Sequence, residues 1–402
     1  MQHRILIIGA GFAGLWSALA AARRLHLEGK SPHEFEVALV APEPVLTIRP
    51  RLYEAEPEGM ATPLAALLDS TNVRYIQGTV QTIRTDSDEV EIVNMHGAHS
   101  TIKYDRLIMA AGSSLFRPGI PGLREHAFSV DQRDEAAALD AHLLALSRQP
   151  ASAMRDTFIV AGGGFTGLEI ATELPARLKA ILGEQAKIRV LIVEQADTIG
   201  PDLGPGPRPV IMQALSQLGI ECHFGSAVAS IDATGLTTAS GERFESATVI
   251  WTAGVRASAL TVQIPAERDA LGRLRVDSHL RVPAVPKVFA AGDAAIAATD
   301  DAGHHTLMSC QHAIPLGKSA GDNAAADLLA KPLRPYRQPA YVTCLDLGSS
   351  GAVVTQGWDR EVWMTGTEAK ALKTAINGQL IYPPVGREAA FAAANPAVDL
   401  QI

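Results

Sequence analysis

The sequence predicts an α/β protein with two parallel-sheet units and a small α+β domain at its C-terminal end. Three observations predict this class. The chain opens with RILIIGAGFAGLWSALA, and FIVAGGGFTGLEIATEL repeats its pattern near residue 160. In both stretches an apolar run rich in isoleucine and valine ends in glycines, and helical spacing follows, as in a buried strand that turns into a helix. Further along, AYVTCLDLG, AVVTQGWD and VWMTG have the pattern of short antiparallel strands.

The remaining elements follow in chain order. FEVALVAP closes the first strand–helix–strand unit, and EVEIVNMHG and STIKYDRLIMAAG add strands to it. HAFSVDQRDEAAALDAHLLALSRQ is predicted to be helical and to lead into the second unit, which KIRVLIVEQ closes. RFESATVIWTAG and VPKVFAAGDAA are two more strands that end in glycine. PLGKSAGDNAAADLLAKP and TEAKALKTAING are predicted helices, the first ending near Pro332.

Composition excludes several function classes. The 402 residues suggest two or three domains, and 47% hydrophobic residues suffice for a sizeable core. A net charge of −8 argues against nucleic acid or an anionic membrane as the main partner. Cys222, Cys310 and Cys344 are too far apart for a disulfide framework or a paired-cysteine zinc site, so we expect a reducing, cytoplasmic location. The glycines after residue 8 argue against a signal peptide, and no apolar run is long enough to span a membrane.

The glycine spacing explains why each unit needs this turn. In G-x-G-x-x-G, one glycine makes the turn, one lets the backbone approach a pyrophosphate, and one lets the helix pack on the strand. The helix N-terminus adds free N–H groups and a partial positive charge. Both units are therefore predicted to be Rossmann-like dinucleotide-binding domains. The expected contact residues are Gly9, Gly11, Phe12, Ala13 and Gly14 in the first unit, and Gly162, Gly164, Thr166 and Gly167 in the second.

The two units differ where each would meet a ribose. Glu194 ends the second strand of the second unit, and a carboxylate there binds both ribose hydroxyls and repels a 2′-phosphate. We therefore expect NADH to be preferred over NADPH. The matching residue of the first unit is Ala41, so either Glu43 or the backbone alone would hold that ribose.

These motifs together resemble the flavoproteins with two dinucleotide-binding domains, the glutathione reductase-like superfamily. The resemblance covers roughly residues 1–330. It assigns the first glycine motif to FAD and the second to NADH. It also implies that Asp293, in VPKVFAAGDAA, binds the ribityl chain. Further cofactor contacts implied by the same resemblance are Ala111, Gly112, Ala253, Gly254 and Gly292.

Within this superfamily the chain is most similar to type II NADH:quinone oxidoreductases and their relatives. RPRLYEA resembles their loop after the second strand, and Arg49 there is a candidate flavin contact, although Arg49 and Arg51 also suit an exposed loop. GFTGLEIATEL resembles their second helix, which implies a place for Glu169 in its first turn, beside the nicotinamide. SCQHAIPLG resembles their helix beside the flavin ring, where Gln311 matches the first of two glutamines of a quinone site. The second is replaced by Pro315.

The resemblance implies a domain organisation. The FAD-binding domain is expected over residues 1–118 and 257–332, with an NADH-binding domain inserted at 119–256. Residues 333–402 would form the C-terminal domain, which contributes to the acceptor site or to a dimer contact. The family's amphipathic membrane anchors have no counterpart here, because TEAKALKTAING contains lysines and REAAFAAANP is short. We therefore expect at most weak peripheral membrane contact. The sequence allows either a monomer or a homodimer.

The resemblance also implies a reaction, in which hydride passes from NADH to FAD and electrons then pass to a quinone or another small acceptor. Two alternatives stay open: a flavin-dependent oxidase or tailoring enzyme acting on a specialised metabolite, and a redox sensor that turns over poorly. A disulfide relay is not expected, because the first helix has no cysteine pair.

The acceptor side contains two further candidate residues, Cys310 and His312, whose position depends on where the next helix begins. Pro315 suits the first turn of a helix, so the helix is expected to begin near Ile314 or Pro315. Cys310 and His312 would then lie just before its N-terminus, where a thiol has a lowered pKa and an imidazole can donate a proton. The alternatives are a packed cysteine and a surface histidine. The loop with Asp300 and His304 matches no metal motif, so no metal is expected.

Overall fold

The computed structural model describes residues 2–398. Its strands are β1 (His3–Ile8), β2 (Phe35–Ala41), β3 (Val45–Thr47), β4 (Ala61–Pro63), β5 (Val73–Gln77), β6 (Thr79–Arg84), β7 (Glu89–Val93), β8 (His99–Lys103), β9 (Arg106–Met109), β10 (Ser113–Leu115), β11 (Ala127–Phe128), β12 (Thr157–Ala161), β13 (Arg189–Val193), β14 (Glu221–His223), β15 (Val228–Asp232), β16 (Gly235–Thr238), β17 (Arg243–Glu245), β18 (Thr248–Trp251), β19 (Val255–Ala257), β20 (Leu274–Arg275), β21 (Val288–Ala290), β22 (Ala295–Ile296), β23 (Val342–Asp346), β24 (Ala352–Gln356) and β25 (Glu361–Thr365).

The helices are α1 (Phe12–Leu27), α2 (Ala65–Ser70), α3 (Leu123–His126), α4 (Arg133–Leu146), α5 (Phe165–Leu182), α6 (Arg208–Gln217), α7 (Cys310–Leu328), α8 (Gly366–Ala375) and α9 (Arg387–Ala393). A π-helical turn, Ile376–Leu380, continues α8. None of the helices within residues 2–398 combines the length and the hydropathy needed to cross a bilayer.

Two five-stranded parallel sheets dominate the fold. The first has the order β5-β2-β1-β9-β21, and the second has the order β14-β13-β12-β18-β11. In each, the strand that precedes the glycine turn lies at the centre and is buried on both faces, as its apolar sequence predicts. Strand β21 joins the first sheet after the whole second sheet has been completed, so the second unit is inserted in the first.

Helix α7 lies directly against α1 at a crossing of small residues. A Cβ atom at Gly317 would stand 2.5 Å from the Ala13 carbonyl oxygen, and one at Gly321 would stand 2.1 Å from that of Ser17. Only glycine allows two helix backbones to approach this closely. The crossing therefore fixes the start of α7 relative to the first glycine turn.

The C-terminal region forms a three-stranded antiparallel sheet in the order β23-β24-β25, with α8 packed against it. This confirms the expected short strands. Helix α8 reaches the second unit and α9 reaches α1. The tail thus bridges both larger units.

Two elements differ from the sequence-based expectation. Helix α4 begins at Arg133, because a short strand and a loop occupy the residues before it. Helix α7 begins at Cys310, so Pro315 lies in its second turn rather than its first. There the proline ring cannot donate to the Gln311 carbonyl, but the Gln338 side-chain amide donates to that oxygen instead (3.1 Å). This substitute bond explains how the helix accommodates the proline.

Candidate active site

The two glycine turns have the same geometry. Gly9 and Gly162 have φ angles of +104° and +113°, in the region that favours glycine. A Cβ atom on Gly14 would stand 1.8 Å from the Gly9 carbonyl oxygen, and one on Gly167 would stand 1.9 Å from that of Gly162. The outer glycines of both motifs are therefore required by the packing of helix on strand.

The middle glycines behave differently. A Cβ atom on Gly11 or Gly164 would meet no atom within 4 Å, so the fold itself leaves this space open. Both are N-cap residues without a capping side chain, so the first-turn N–H groups of α1 and α5 face the opening. Phe12 and Ala13 are buried in the first turn of α1, whereas Thr166 is exposed in that of α5. Such an opening at a helix N-terminus fits a pyrophosphate.

Three further glycines follow sheet strands beside these turns. Gly112 after β9, Gly254 after β18 and Gly292 after β21 all have positive φ, and each follows an alanine, namely Ala111, Ala253 and Ala291. Because the carboxyl ends of parallel strands share one edge, these turns lie on the same side as the glycine motifs. Within each sheet, the turns predicted to contact one dinucleotide are thus gathered at a single edge.

The two glycine turns, residues 9–14 and 162–167, are called the first and the second cradle below. Glu194 lies next to the second cradle. Its carboxylate accepts hydrogen bonds from the backbone N–H of Gly163 (2.6 Å) and of Ala196 (2.7 Å), and only 7% of the residue is exposed. In the first cradle, Ala41 ends β2, and Glu43 lies more than half exposed, where Arg133 pairs with it (2.7 Å). Of the two units, only the second therefore has a buried carboxylate at the end of its second strand.

Asp293 faces the first cradle in a polar group. The Ser113 hydroxyl donates to its Oδ2 atom (2.6 Å), and the Arg49 guanidinium stands 3.6 Å from the same oxygen. Ser113 was not singled out by sequence reasoning, because a serine after a strand carries no signal of its own. Arg49, which sequence reasoning allowed as a flavin contact or a surface residue, lies inside this group.

A buried ion pair lies where α5 meets α8. Glu169 is in the second turn of α5, not the first, and Lys373 Nζ lies 2.7 Å from its Oε1 atom. Both side chains are 6% exposed. Burial raises the pKa of Glu169 above its usual value, although the Lys373 ammonium opposes this, and the carboxylate holds the pKa of Lys373 above normal.

Asp346 ties this pair to a third segment. Its backbone N–H donates to Glu169 Oε1 (3.2 Å), its carboxylate accepts from the Tyr53 hydroxyl (3.0 Å), and Lys370 pairs with it. Sequence reasoning missed Lys373 and Asp346 as site residues. The lysines of α8 were visible, but no local pattern says which buried acid they meet.

Gln311 and His312 occupy the first turn of α7. The Gln311 carboxamide lies against the backbone of Val342. Hydrogen bonding assigns its nitrogen to the side of the Val342 carbonyl oxygen (2.6 Å) and its oxygen to the side of the Val342 N–H (3.1 Å). His312 is fully buried, stacks on Tyr341 (5.3 Å between ring centres), and its Nδ1 atom faces the Gln338 carboxamide oxygen (3.1 Å). It is therefore not a surface histidine. Burial lowers its pKa to about 4, so the imidazole is neutral at neutral pH.

Cys310 is the first residue of α7 and packs against the core. The helix N-terminus was expected to lower the pKa of its thiol. Burial instead raises that pKa to about 11, because the thiolate would lose its hydration. The thiol is thus protonated at neutral pH, as in the alternative of a packed cysteine. His304 contacts Asp300 (2.7 Å), and within residues 2–398 no three His, Cys, Asp or Glu side chains are placed to hold a metal.

Comparison with known proteins decides the family. The family description "Pyridine nucleotide-disulphide oxidoreductase" matches residues 3–317, more than half of the chain. The chain belongs to this family. Members bind FAD and a nicotinamide dinucleotide, and the two cradles fit both groups, so this pyridine nucleotide-disulphide oxidoreductase is an FAD-dependent NADH oxidoreductase.

Individual relatives agree with this assignment. The chain is 45% identical to an NADH dehydrogenase-like protein of Mycobacterium tuberculosis, with 98% of each chain covered. It is 30% identical to a demethylphylloquinone reductase of Synechocystis, over 88% of this chain and 87% of that one. Among solved structures, NDH2 from Plasmodium falciparum in complex with NADH shares the fold, with a TM-score of 0.76, 15% identity and 98% of each chain covered.

Proposed function

We propose that this oxidoreductase passes the electrons of NADH, through FAD, to a quinone. The similarity to a demethylphylloquinone reductase supports a quinone-type acceptor. The observation that carries the proposal is the buried Glu169–Lys373 pair between the NADH-binding unit and the tail. Reducing a quinone to a quinol requires two protons as well as two electrons, and this pair can hold a proton away from bulk water.

The two cradles are assigned to binding the dinucleotides, and the contact between α5 and α8 is assigned to proton transfer. The first cradle, with Asp293 and Arg49, would hold FAD, which when bound accepts hydride and releases electrons. The second cradle, with Glu194 at its corner, would orient NADH through its ribose and pyrophosphate. Gln311 is assigned to the acceptor side, where its contact with Val342 also anchors the start of α7 to β23.

Glu169 is assigned the task of general acid. Burial raises its pKa, so it holds a proton closer to neutral pH than an exposed glutamate does. Lys373 fixes the carboxyl orientation at 2.7 Å and can return a proton to it. Asp346 and Tyr53 hold this arrangement from the opposite side. His312, with a pKa near 4, is not assigned proton donation.

The proposal is tested by reoxidation of the NADH-reduced protein. Anaerobic protein is reduced with one equivalent of NADH and mixed in a stopped-flow instrument with menadione, with air-saturated buffer or with ferricyanide. We expect menadione to restore the flavin absorbance at least tenfold faster than air does. Faster reoxidation by air would instead favour the oxidase, and slow reoxidation by every acceptor would favour the redox sensor.

A pair of variants isolates the proton-holding role. Glu169→Gln is expected to slow reoxidation by menadione about a hundredfold, the usual size of a general-acid effect. Ferricyanide takes electrons without protons, so its reaction should change less than twofold. Glu184→Gln removes an exposed carboxyl just beyond the end of α5 and serves as the matched control. Equal slowing with both acceptors would remove Glu169 from proton transfer.

A further inference from the structure

Arg49 stands between two carboxylates that belong to different parts of the chain. Its Nη1 atom faces the Ser113 hydroxyl (3.1 Å) and Asp293 (3.6 Å) in the first unit. Its other edge holds Asp131: Nη2 pairs with the carboxylate and Nε donates to the backbone carbonyl (3.2 Å). A guanidinium is a planar fork, so bonds along one edge fix the direction of the remaining N–H groups.

Asp131 is itself tightly held. Its carboxylate also accepts from the backbone N–H of Leu115 (3.0 Å) and from the Gln132 side chain (2.7 Å), and it is 8% exposed. It lies between β11 and α4, two elements that belong to the second unit. The group that orients Arg49 towards Asp293 therefore comes from the unit that does not hold Asp293.

We propose that Asp131 is a positioning residue for the flavin site: it aims the Arg49 guanidinium at the first cradle and balances its charge. Retention and redox potential of FAD then depend on a residue supplied by the NADH-binding unit. Arg49 keeps about a third of its side chain exposed (32%), so it has donor capacity left for a ligand beside Asp293. Asp131 makes no direct contact with Asp293; it acts through Arg49.

An exposed ion pair elsewhere in the chain provides a matched control. Asp301 pairs with Arg337 (2.8 Å), a residue of another segment, but the Asp301 side chain is 86% exposed. Exposed pairs contribute little because water and salt screen them, whereas a held and desolvated pair fixes geometry. Asp301→Asn therefore makes the same substitution, with the same loss of charge, without touching Arg49.

The experiment compares purified FAD-loaded Asp131→Asn, Asp131→Ala and Asp301→Asn with the parent protein. FAD release is followed by the recovery of flavin fluorescence on dilution, and the flavin midpoint potential by dye-linked reductive titration, neither of which measures turnover. We expect Asp131→Ala to release FAD at least tenfold faster, because Arg49 loses its direction. Asp131→Asn should raise the midpoint potential, since an unbalanced Arg49 favours the more negative reduced flavin. Asp301→Asn should change neither quantity.

Arg49→Lys distinguishes positioning from simple charge. Lysine keeps the positive charge but lacks the fork, so Arg49→Lys should release FAD as fast as Asp131→Ala does, and combining the two should add nothing. Unchanged FAD release in a folded Asp131→Ala protein, or an unchanged potential in Asp131→Asn, would overturn the proposal. If Asp131→Ala does not fold, the potential of Asp131→Asn decides alone.

Discussion

Glu194 distinguishes the second cradle from the first, which has Ala41 at the matching position. Its carboxylate accepts hydrogen bonds from two backbone N–H groups, which fix its orientation before a dinucleotide binds. A ribose that offers its hydroxyls to this carboxylate meets an oriented acceptor, whereas a 2′-phosphate meets a fixed negative charge.

Glu194→Arg is expected to raise the KM for NADH at least tenfold and to improve kcat/KM for NADPH. The new guanidinium attracts a phosphate but cannot accept from ribose hydroxyls. Steady-state kinetics with both dinucleotides measures the change. Glu245→Arg, an exposed position on β17 of the same unit, makes the same charge change and should alter neither constant. Unchanged kinetics in Glu194→Arg would contradict the ribose assignment.

His312 makes the fold sensitive to acid. Burial lowers its pKa from 6.5 to about 4, so the unfolded chain binds a proton there that the folded chain refuses. The free energy of unfolding is therefore unaffected by the titration of His312 above about pH 6.5. It decreases as the pH falls towards 4, by up to about 3 kcal/mol. Urea unfolding at pH 7 and pH 5 should therefore show a smaller acid loss in His312→Gln than in the parent. His305→Gln, at an exposed loop position, should keep the parent's loss.

At the scale of elements, the glycines of each strand–turn–helix unit have different roles, one in packing and one in leaving space at the helix N-terminus. Gly167 allows α5 to pack on β12, and Gly164 leaves the opening at the helix N-terminus. The two positions therefore separate folding from binding.

Gly167→Ala should destabilise the protein by at least about 2 kcal/mol, because the methyl group has no room against the Gly162 carbonyl. Gly164→Ala should change the unfolding midpoint little, because its Cβ meets nothing, yet weaken NADH binding at least tenfold. Thermal unfolding and NADH titration by fluorescence separate the two effects. Normal NADH binding by Gly164→Ala would show that no pyrophosphate lies there.

The same elements show how far sequence reasoning reaches. Both glycine turns, the short C-terminal strands and the insertion of the second unit follow from local patterns and the family resemblance, and the structure confirms them. The start of α7 does not follow, because Gln338 replaces the bond that Pro315 removes, and this partner lies in another segment. Lys373 and Asp131 were missed for the same reason: their partners are distant in sequence and close only after folding.

At the scale of the whole molecule, the Glu169–Lys373 pair connects the tail to the second unit. Lys373→Met should destabilise the protein by about 3 kcal/mol at pH 7, because it leaves a buried carboxylate without its partner. The pKa of Glu169 in that variant rises further, so part of the loss should be recovered as the pH falls towards 5.

The double variant Glu169→Gln/Lys373→Met, which has no buried charge at the pair, should recover most of the stability. Urea unfolding followed by circular dichroism gives the coupling free energy of this cycle. Strictly additive losses would mean that the two side chains do not depend on each other.

The matched turns also say something about ancestry. Four strands of each sheet, β5-β2-β1-β9 and β14-β13-β12-β18, follow the same order, whereas the fifth strand, β21 or β11, comes last in one unit and first in the other. In both units a Cβ atom on the third glycine would stand 1.8–1.9 Å from a carbonyl oxygen, so the shared part has the geometry expected of a duplicated segment. The two units differ at the end of the second strand, where the first has Ala41 and the second has Glu194. We therefore expect nucleotide preference to change by substitution at this position while the shared strand–turn–helix scaffold stays intact.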